Sequence, residues 1–286
     1  MGKRDRIKQG QQSRRPCAIC LRTDRPSTKE DIVPVWQLAL AKSLYPNDES
    51  PPRKMIICKR CNEGSARRFE SRTAPLYSRL ARENPTVLPP DDQILLASWL
   101  TKSMLMQNLA TAQNPGHPGI RNADLRKVSR APLSHLIETG ELPPRLRVRL
   151  GRIQRGLEFE MPHEYNALFP PIERPFIKMH AQRGLGPLYS IVLLGADDLS
   201  ESFVRSLPPS PYYTDIWPPS PGTVQWPPPK TISGRQATTL EVLWSRGEKS
   251  TADYPRPRDP SPAIDRLNEV LGFDGRYGWD RNAAQG

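Results

Sequence analysis

The sequence predicts an α+β protein: a small cysteine-stapled module at the N-terminus, one long helix, then a mainly β region with proline-rich edges. Three observations predict it. All four cysteines fall in two pairs, Cys17-Ala-Ile-Cys20 and Cys58-Lys-Arg-Cys61, in the first fifth of the 286 residues. The stretch from Gln93 to Ala112 is a sustained apolar run that Asn114-Pro115-Gly116 closes. Beyond Leu146, short aliphatic runs alternate with prolines, of which the chain has 33, more than twice the usual share of roughly 5 %.

Composition narrows the class further. Hydrophobic residues make up 36 % of the chain, and the mean hydropathy is −0.63. Such a chain builds a limited core with irregular connections. Lysine and arginine number 42 against 30 acidic residues, a net charge of +12. An excess of that size makes a polyanion, foremost nucleic acid, the expected partner. The charge is clustered: residues 1–15 hold six basic side chains and one acidic, 53–82 hold nine and two, and 121–155 hold nine and three. No run of 18 apolar residues is present, so no membrane-spanning helix is expected. A charged N-terminus without an apolar stretch behind it argues against a secretory signal and for a cytoplasmic setting. In that setting paired C-x-x-C favours a metal over disulfides.

Taken in order, residues 1–15 read as a flexible basic arm and 16–85 as the cysteine module. Within the module, Glu30-Asp31 reads as a turn into an Ile32-Val33 strand, Val35–Leu44 as a short amphipathic helix, and Met55-Ile56-Ile57 as a strand. Glu63–Arg82 is helix-like, with Pro75 expected to break or restart it. Residues 86–245 form an α+β domain of unassigned role. Its long helix starts behind an Asp91-Asp92 cap, and a short helix is expected at Leu133–Glu138. Strands follow at Leu146–Gln154, Pro175–Ala181 and Leu188–Leu194, the last as a central strand because its apolar run does not alternate. In the first of these, Arg147, Arg149 and Arg152 alternate with Val148, Leu150 and Ile153. The phrases Ile216-Trp217-Pro218-Pro219 and Gln225-Trp226-Pro227-Pro228 belong at sheet edges, because proline cannot donate to a ladder. Residues 246–286 read as a proline-rich, largely irregular tail with one short helix near Ala263–Leu271.

Two C-x-x-C knuckles offer four thiolates to a tetrahedral Zn²⁺ at about 2.3 Å from each sulfur. With Cys17, Cys20, Cys58 and Cys61 as ligands every position is filled, so that zinc is structural and cannot activate water. In small zinc peptides such a site supplies about 10–16 kcal/mol of apparent folding free energy. The alternative for these cysteines is a redox thiol pair.

The order of elements in this span resembles the HNH endonuclease family, the ββα-metal or His-Me finger fold, in its four-cysteine form. The resemblance covers Cys17 to about Glu70 and rests on the knuckles, on Glu30-Asp31-Ile32-Val33-Pro34 between them, and on Cys61-Asn62-Glu63-Gly64 at the end of the second. It implies an HNH-like module in which Glu30 and Glu70 bind one catalytic Mg²⁺ or Mn²⁺. In that scheme Asp31 stands where the family has the histidine that deprotonates water, and Asn62 orients that base. It also implies that Arg67, Arg68, Arg72 and Arg79, on or beside the following helix, contact nucleic-acid phosphates. The departure is the missing histidine: none occurs before His117, and aspartate is a weak base at neutral pH unless burial raises it. His117, His135, His163 and His180 are the imidazoles a second region could bring in.

The expected function is therefore a divalent-metal-dependent endonuclease hydrolysing phosphodiester bonds in DNA. The alternative is a catalytically degenerate HNH-like zinc module that binds nucleic acid, or a protein partner through the tails, within a larger assembly. Without the resemblance, Glu30-Asp31 is a strand-capping turn and Asn62 a helix cap.

Overall fold

The computed structural model describes residues 16–44, 54–111, 122–153, 164–169, 177–183, 188–195 and 211–232. The basic arm at 1–15 and the tail at 246–286, with its expected helix at Ala263–Leu271, lie outside the described residues. In chain order the elements are β1 (Ser27–Asp31), α1 (Val35–Leu44), β2 (Lys54–Cys58), α2 (Lys59–Ser65), a π-helical turn (Ala66–Glu70) and α3 (Ser71–Ala81). They continue as β3 (Thr86–Leu88), α4 (Pro90–Thr111), α5 (Asn122–Thr139), β4 (Leu146–Arg152), β5 (Glu164–Phe169) and β6 (Ile177–Arg183). The last three are β7 (Leu188–Gly195), β8 (Tyr213–Trp217) and β9 (Val224–Trp226). Helix and strand are mixed, as an α+β class requires, and no helix among the described residues is long and apolar enough to cross a membrane.

The chain divides into two compact units that are discontinuous in sequence: Met1–Ser78 with Ser98–Pro143, and Arg79–Ala97 with Pro144–Gly286. In the first, β1 pairs antiparallel with β2, Ser27 opposite Cys58 and Asp31 opposite Lys54. The strand thus ends at Asp31, and the expected Ile32-Val33 strand is instead a bend into α1. Pro34 accounts for this: its carbonyl accepts from the amides of Gln37 and Leu38, so the chain turns helical there. Helix α2 follows β2 without a break. Pro75 does not interrupt α3; both it and Ser71, whose carbonyl it leaves without its amide partner, are exposed, so water can satisfy that group. The ladder instead loosens one turn earlier, in the π-helical turn.

Helix α4 begins with Pro90 at its first position, so Asp91 and Asp92 lie inside the first turn rather than capping it. From Leu95 to Leu109 every residue is buried, polar ones included. Helix α5 is three times the length expected for it, because Pro132 is carried inside the helix. It ends at Gly140, whose φ of 83° and amide bond to the Leu136 carbonyl make a left-handed cap. Within this unit Trp36 packs edge-on against Tyr77 at 5.7 Å and tilted against Trp99 at 5.4 Å.

The second unit is built on a five-stranded antiparallel sheet in the order β5-β6-β7-β4-β8, with β7 central as expected. The phrase ending in Trp217 forms the edge strand β8, and that ending in Trp226 pairs with β3 outside the large sheet. The arginines of the β4 alternation do not reach solvent: Arg147 and Arg149 are buried, Arg149 at 1 % exposure. Asp215 explains it. Its carboxylate accepts from Arg147 Nε (3.0 Å) and Nη2 (2.9 Å) and from Arg149 Nε (2.8 Å). A bulge, where the β4 partner steps from Trp217 at Val148 to Asp215 at Arg149, sets β8 so that one carboxylate serves both guanidiniums. Gln93, wholly buried, donates through Nε2 to the carbonyls of Leu88 (2.9 Å) and Gly222 (3.0 Å) and accepts from the Ser220 amide (2.9 Å).

Candidate metal centre and carboxylate site

The first knuckle is shaped by its own backbone. The Leu21 amide donates to the Cys17 carbonyl at 3.0 Å, and Leu21 takes a φ of 60°, turning the chain sharply behind Cys20. The β1–β2 pairing carries the second knuckle to the first: the Cys58 amide donates to Cys17 Sγ at 3.2 Å, and the Ala18 amide reaches the Ile56 carbonyl at 3.3 Å. The four sulfurs consequently lie within 4.8 Å of one another. A zinc ion about 2.3 Å from each of four tetrahedral sulfurs sets neighbouring sulfurs about 3.8 Å apart. The Cys20 and Cys58 sulfurs are 3.7 Å apart. The cluster can therefore hold a zinc ion, and Cys17, Cys58 and Cys61 are buried as a structural centre requires. The Cys61 thiol, donating to Cys17, draws the Cys17 thiol down to about 4, with burial opposing and the backbone amides of Cys20, Cys58 and Ile19 assisting. The same hydrogen bond, with burial, pushes the Cys61 thiol up.

The carboxylates are arranged differently from the cysteines. Thr28 and Glu30 share one face of β1, since alternate residues of a strand do. On that face Asn62 Nδ2 donates to Thr28 Oγ1 at 3.2 Å, which ties the first turn of α2 to the strand. Asn62 also hydrogen-bonds Glu30. Burial pushes the Glu30 carboxyl above its ordinary value; the Lys102 charge opposes this, Glu70 and Asp31 add to it, and the Asn62 bond opposes it. Glu70, at the end of the π-helical turn, is held by Lys102, whose Nζ donates to Oε1 at 3.0 Å. Lys102 is 1 % exposed and stands 4.8 Å from the Trp99 ring centre, a cation–π contact.

Asp31 parts from this group. It pairs across the strands with Lys54, 3.5 Å away, and its Oδ1 is buried without a hydrogen bond among the described residues. Among those residues the four cysteines are the group of histidine, cysteine and acidic side chains close enough to hold a metal; Glu30, Asp31 and Glu70 do not form another. Two of the site residues escaped the sequence reading. Thr28 carries no signal. Lys102 does carry one, a lysine inside the long apolar stretch from Ile94 to Ala112, which in a buried helix demands a charge partner.

Arg68 is exposed and spends Nη2 on the Glu138 carbonyl (2.8 Å), satisfying the C-terminal end of α5. Arg72 and Arg79 are exposed on α3, and the side chain of Arg67 lies outside the described residues. His135 is exposed and sits 3.7 Å from Glu141, whereas His117, His163 and the side chain of His180 lie outside the described residues. Comparison of the chain with protein-family models, with curated proteins and with solved structures finds no match.

Proposed function

We propose that the N-terminal unit is a catalytically degenerate HNH-like zinc module that binds nucleic acid, DNA foremost, along its phosphate backbone. The observation that carries this reading is the Lys102–Glu70 pair. The HNH resemblance puts a divalent cation beside Glu30 and Glu70; here a tethered ammonium already bonds Glu70 and lowers the cost of charge on Glu30. An ammonium balances charge, but it supplies no open coordination position at which water could be activated. The base position is equally poorly served, because Asp31 faces Lys54 instead of joining Glu30 and Asn62. The basic surplus of +12 supports the phosphate-binding half of the proposal. Zinc in this reading is structural, held by Cys17, Cys20, Cys58 and Cys61.

A second reading, the Mg²⁺- or Mn²⁺-dependent endonuclease, is favoured by the raised Glu30 carboxyl with Asn62 bonded to it, since perturbed acids cluster at reacting sites. A supercoiled-plasmid assay separates the two. Degenerate binding gives salt-sensitive retardation and no nicking with either metal. Metal-dependent nicking that disappears in Asp31→Ala and Glu30→Gln establishes the endonuclease instead.

A further inference from the structure

We propose that the cleft between the first cysteine knuckle and helix α5 seats a stretch of DNA phosphodiester backbone, a role distinct from that expected of the arginines on α3. The inference rests on the nucleic-acid reading above and adds where on the unit the backbone lies. The cleft measures about 520 Å³ and is walled by the knuckle backbone at Ile19–Arg22, by Arg25 and Arg60, and by Arg126 and Arg130 of α5. A second cleft of about 500 Å³ shares Arg25 and Arg60 as walls and adds Lys59 and Arg68. Both volumes fall in the roughly 300–1,000 Å³ range of ligand sites, yet the lining is cationic where small-molecule pockets are apolar.

Across the two clefts seven basic side chains meet two acidic ones, Glu63 and Glu138. Like charges gathered around one concavity repel, and a polyanion relieves that repulsion while releasing its own counterions. Arg130 and Arg22 are placed by bonds that leave most of their donors over. Arg130 donates through Nε to the Ala18 carbonyl (3.0 Å), its one side-chain hydrogen bond among the described residues, locking α5 to the knuckle, and a guanidinium has five N–H donors. Arg22 is held by Asp24 in an exposed pair that phosphate can compete for. Arg60 is exposed and makes no side-chain hydrogen bond or ion pair among the described residues. Guanidinium forks match phosphate oxygens in pairs, and two clefts sharing Arg25 and Arg60 suit a chain of phosphates better than one anion.

The test uses the full, zinc-loaded chain and a fluorescein-labelled DNA duplex, with anisotropy read over a series of salt concentrations. The variant Arg25→Gln/Arg60→Gln is expected to weaken binding about tenfold at about 0.1 M salt and to flatten the salt dependence by about two phosphates' worth of counterion release. Unaltered zinc content and thermal midpoint show that the variant is folded. Wild-type-like affinity and salt slope in that variant, with loss in Arg72→Gln/Arg79→Gln, overturn the cleft and leave the nucleic-acid reading standing. Absence of salt-sensitive binding by the wild type overturns both. Tighter binding to a matched single-stranded RNA than to the duplex overturns DNA as the occupant.

Discussion

Lys102 and Glu70 meet at 3.0 Å where the lysine is almost wholly enclosed and the carboxylate only partly so. One ammonium thereby serves one carboxylate directly and a second, Glu30, through space. Removing the lysine leaves two acids in a poorly solvated setting. Lys102→Met is expected to destabilise the chain by about 3 kcal/mol, and Lys102→Met/Glu70→Gln by distinctly less. Urea denaturation of the two variants beside wild type checks both figures; equal losses would show that packing of the lysine stem, not charge, dominates.

Glu30 makes a signed prediction about pH. Its folded carboxyl titrates above the ordinary value, so the folded state holds this proton more tightly than the unfolded chain. The favourable contribution is complete below the unfolded value and is lost as pH rises through the folded one. Glu30→Gln is therefore expected to raise the thermal midpoint at pH 7, with the gain shrinking on acidification towards pH 4. A gain that persists unchanged in acid would contradict the assignment.

Metal removal should act on one unit. Chelation of zinc, or Cys58→Ser, withdraws a folding contribution of the order of several kcal/mol from the elements that converge on the cysteines. Amide exchange is expected to accelerate in β1, β2 and α2, while β4 and β7 keep their protection. Mass spectrometry of exchanged peptides checks the contrast.

Asp215 offsets the charge of two buried arginines. Asp215→Asn removes the carboxylate that both Arg147 and Arg149 bond, and a loss of about 3–5 kcal/mol is expected. The triple exchange Asp215→Asn/Arg147→Leu/Arg149→Leu should recover much of it. Equilibrium unfolding followed by near-ultraviolet circular dichroism reads the comparison.

Gly140 tests the end of α5. A side chain there would take a left-handed φ, and its Cβ would stand 2.8 Å from Arg68 Nη1. Gly140→Ala is expected to cost about 1–2 kcal/mol in a thermal melt, and Arg68→Ala in the same background should return the steric part while forfeiting the Arg68 bond to the Glu138 carbonyl.

What the residues announced and what they concealed divide along physical lines. Paired cysteines announce themselves because metal ligation needs particular atoms at particular spacing, and Cys17, Cys20, Cys58 and Cys61 do meet. Val35–Leu44 was legible from its local run of helix-forming apolar residues, and the central strand at Leu188 from an unbroken apolar run that the sheet buries. The burial of Arg147 and Arg149 was not legible because their partner, Asp215, lies 68 and 66 residues away, and alternation carries no word of it. Helix α5 was expected only at Leu133–Glu138, whereas it runs from Asn122 to Thr139 and carries Pro132 inside it. At the carboxylate site Glu30, Asn62 and Glu70 were singled out by resemblance. That Asp31 turns to Lys54, and that Lys102 arrives from another helix, depends on strand register and on packing across 32 residues.

Gln93 indexes the loop between β8 and β9 to the start of α4, one amide reading Ser220 and Gly222 at once while also holding Leu88. Each bond is worth about 1 kcal/mol, and all three depend on one spacing. An inserted or deleted residue between Pro218 and Thr223 would forfeit them together. Natural versions of this chain should accordingly keep that loop's length fixed even where its side chains drift.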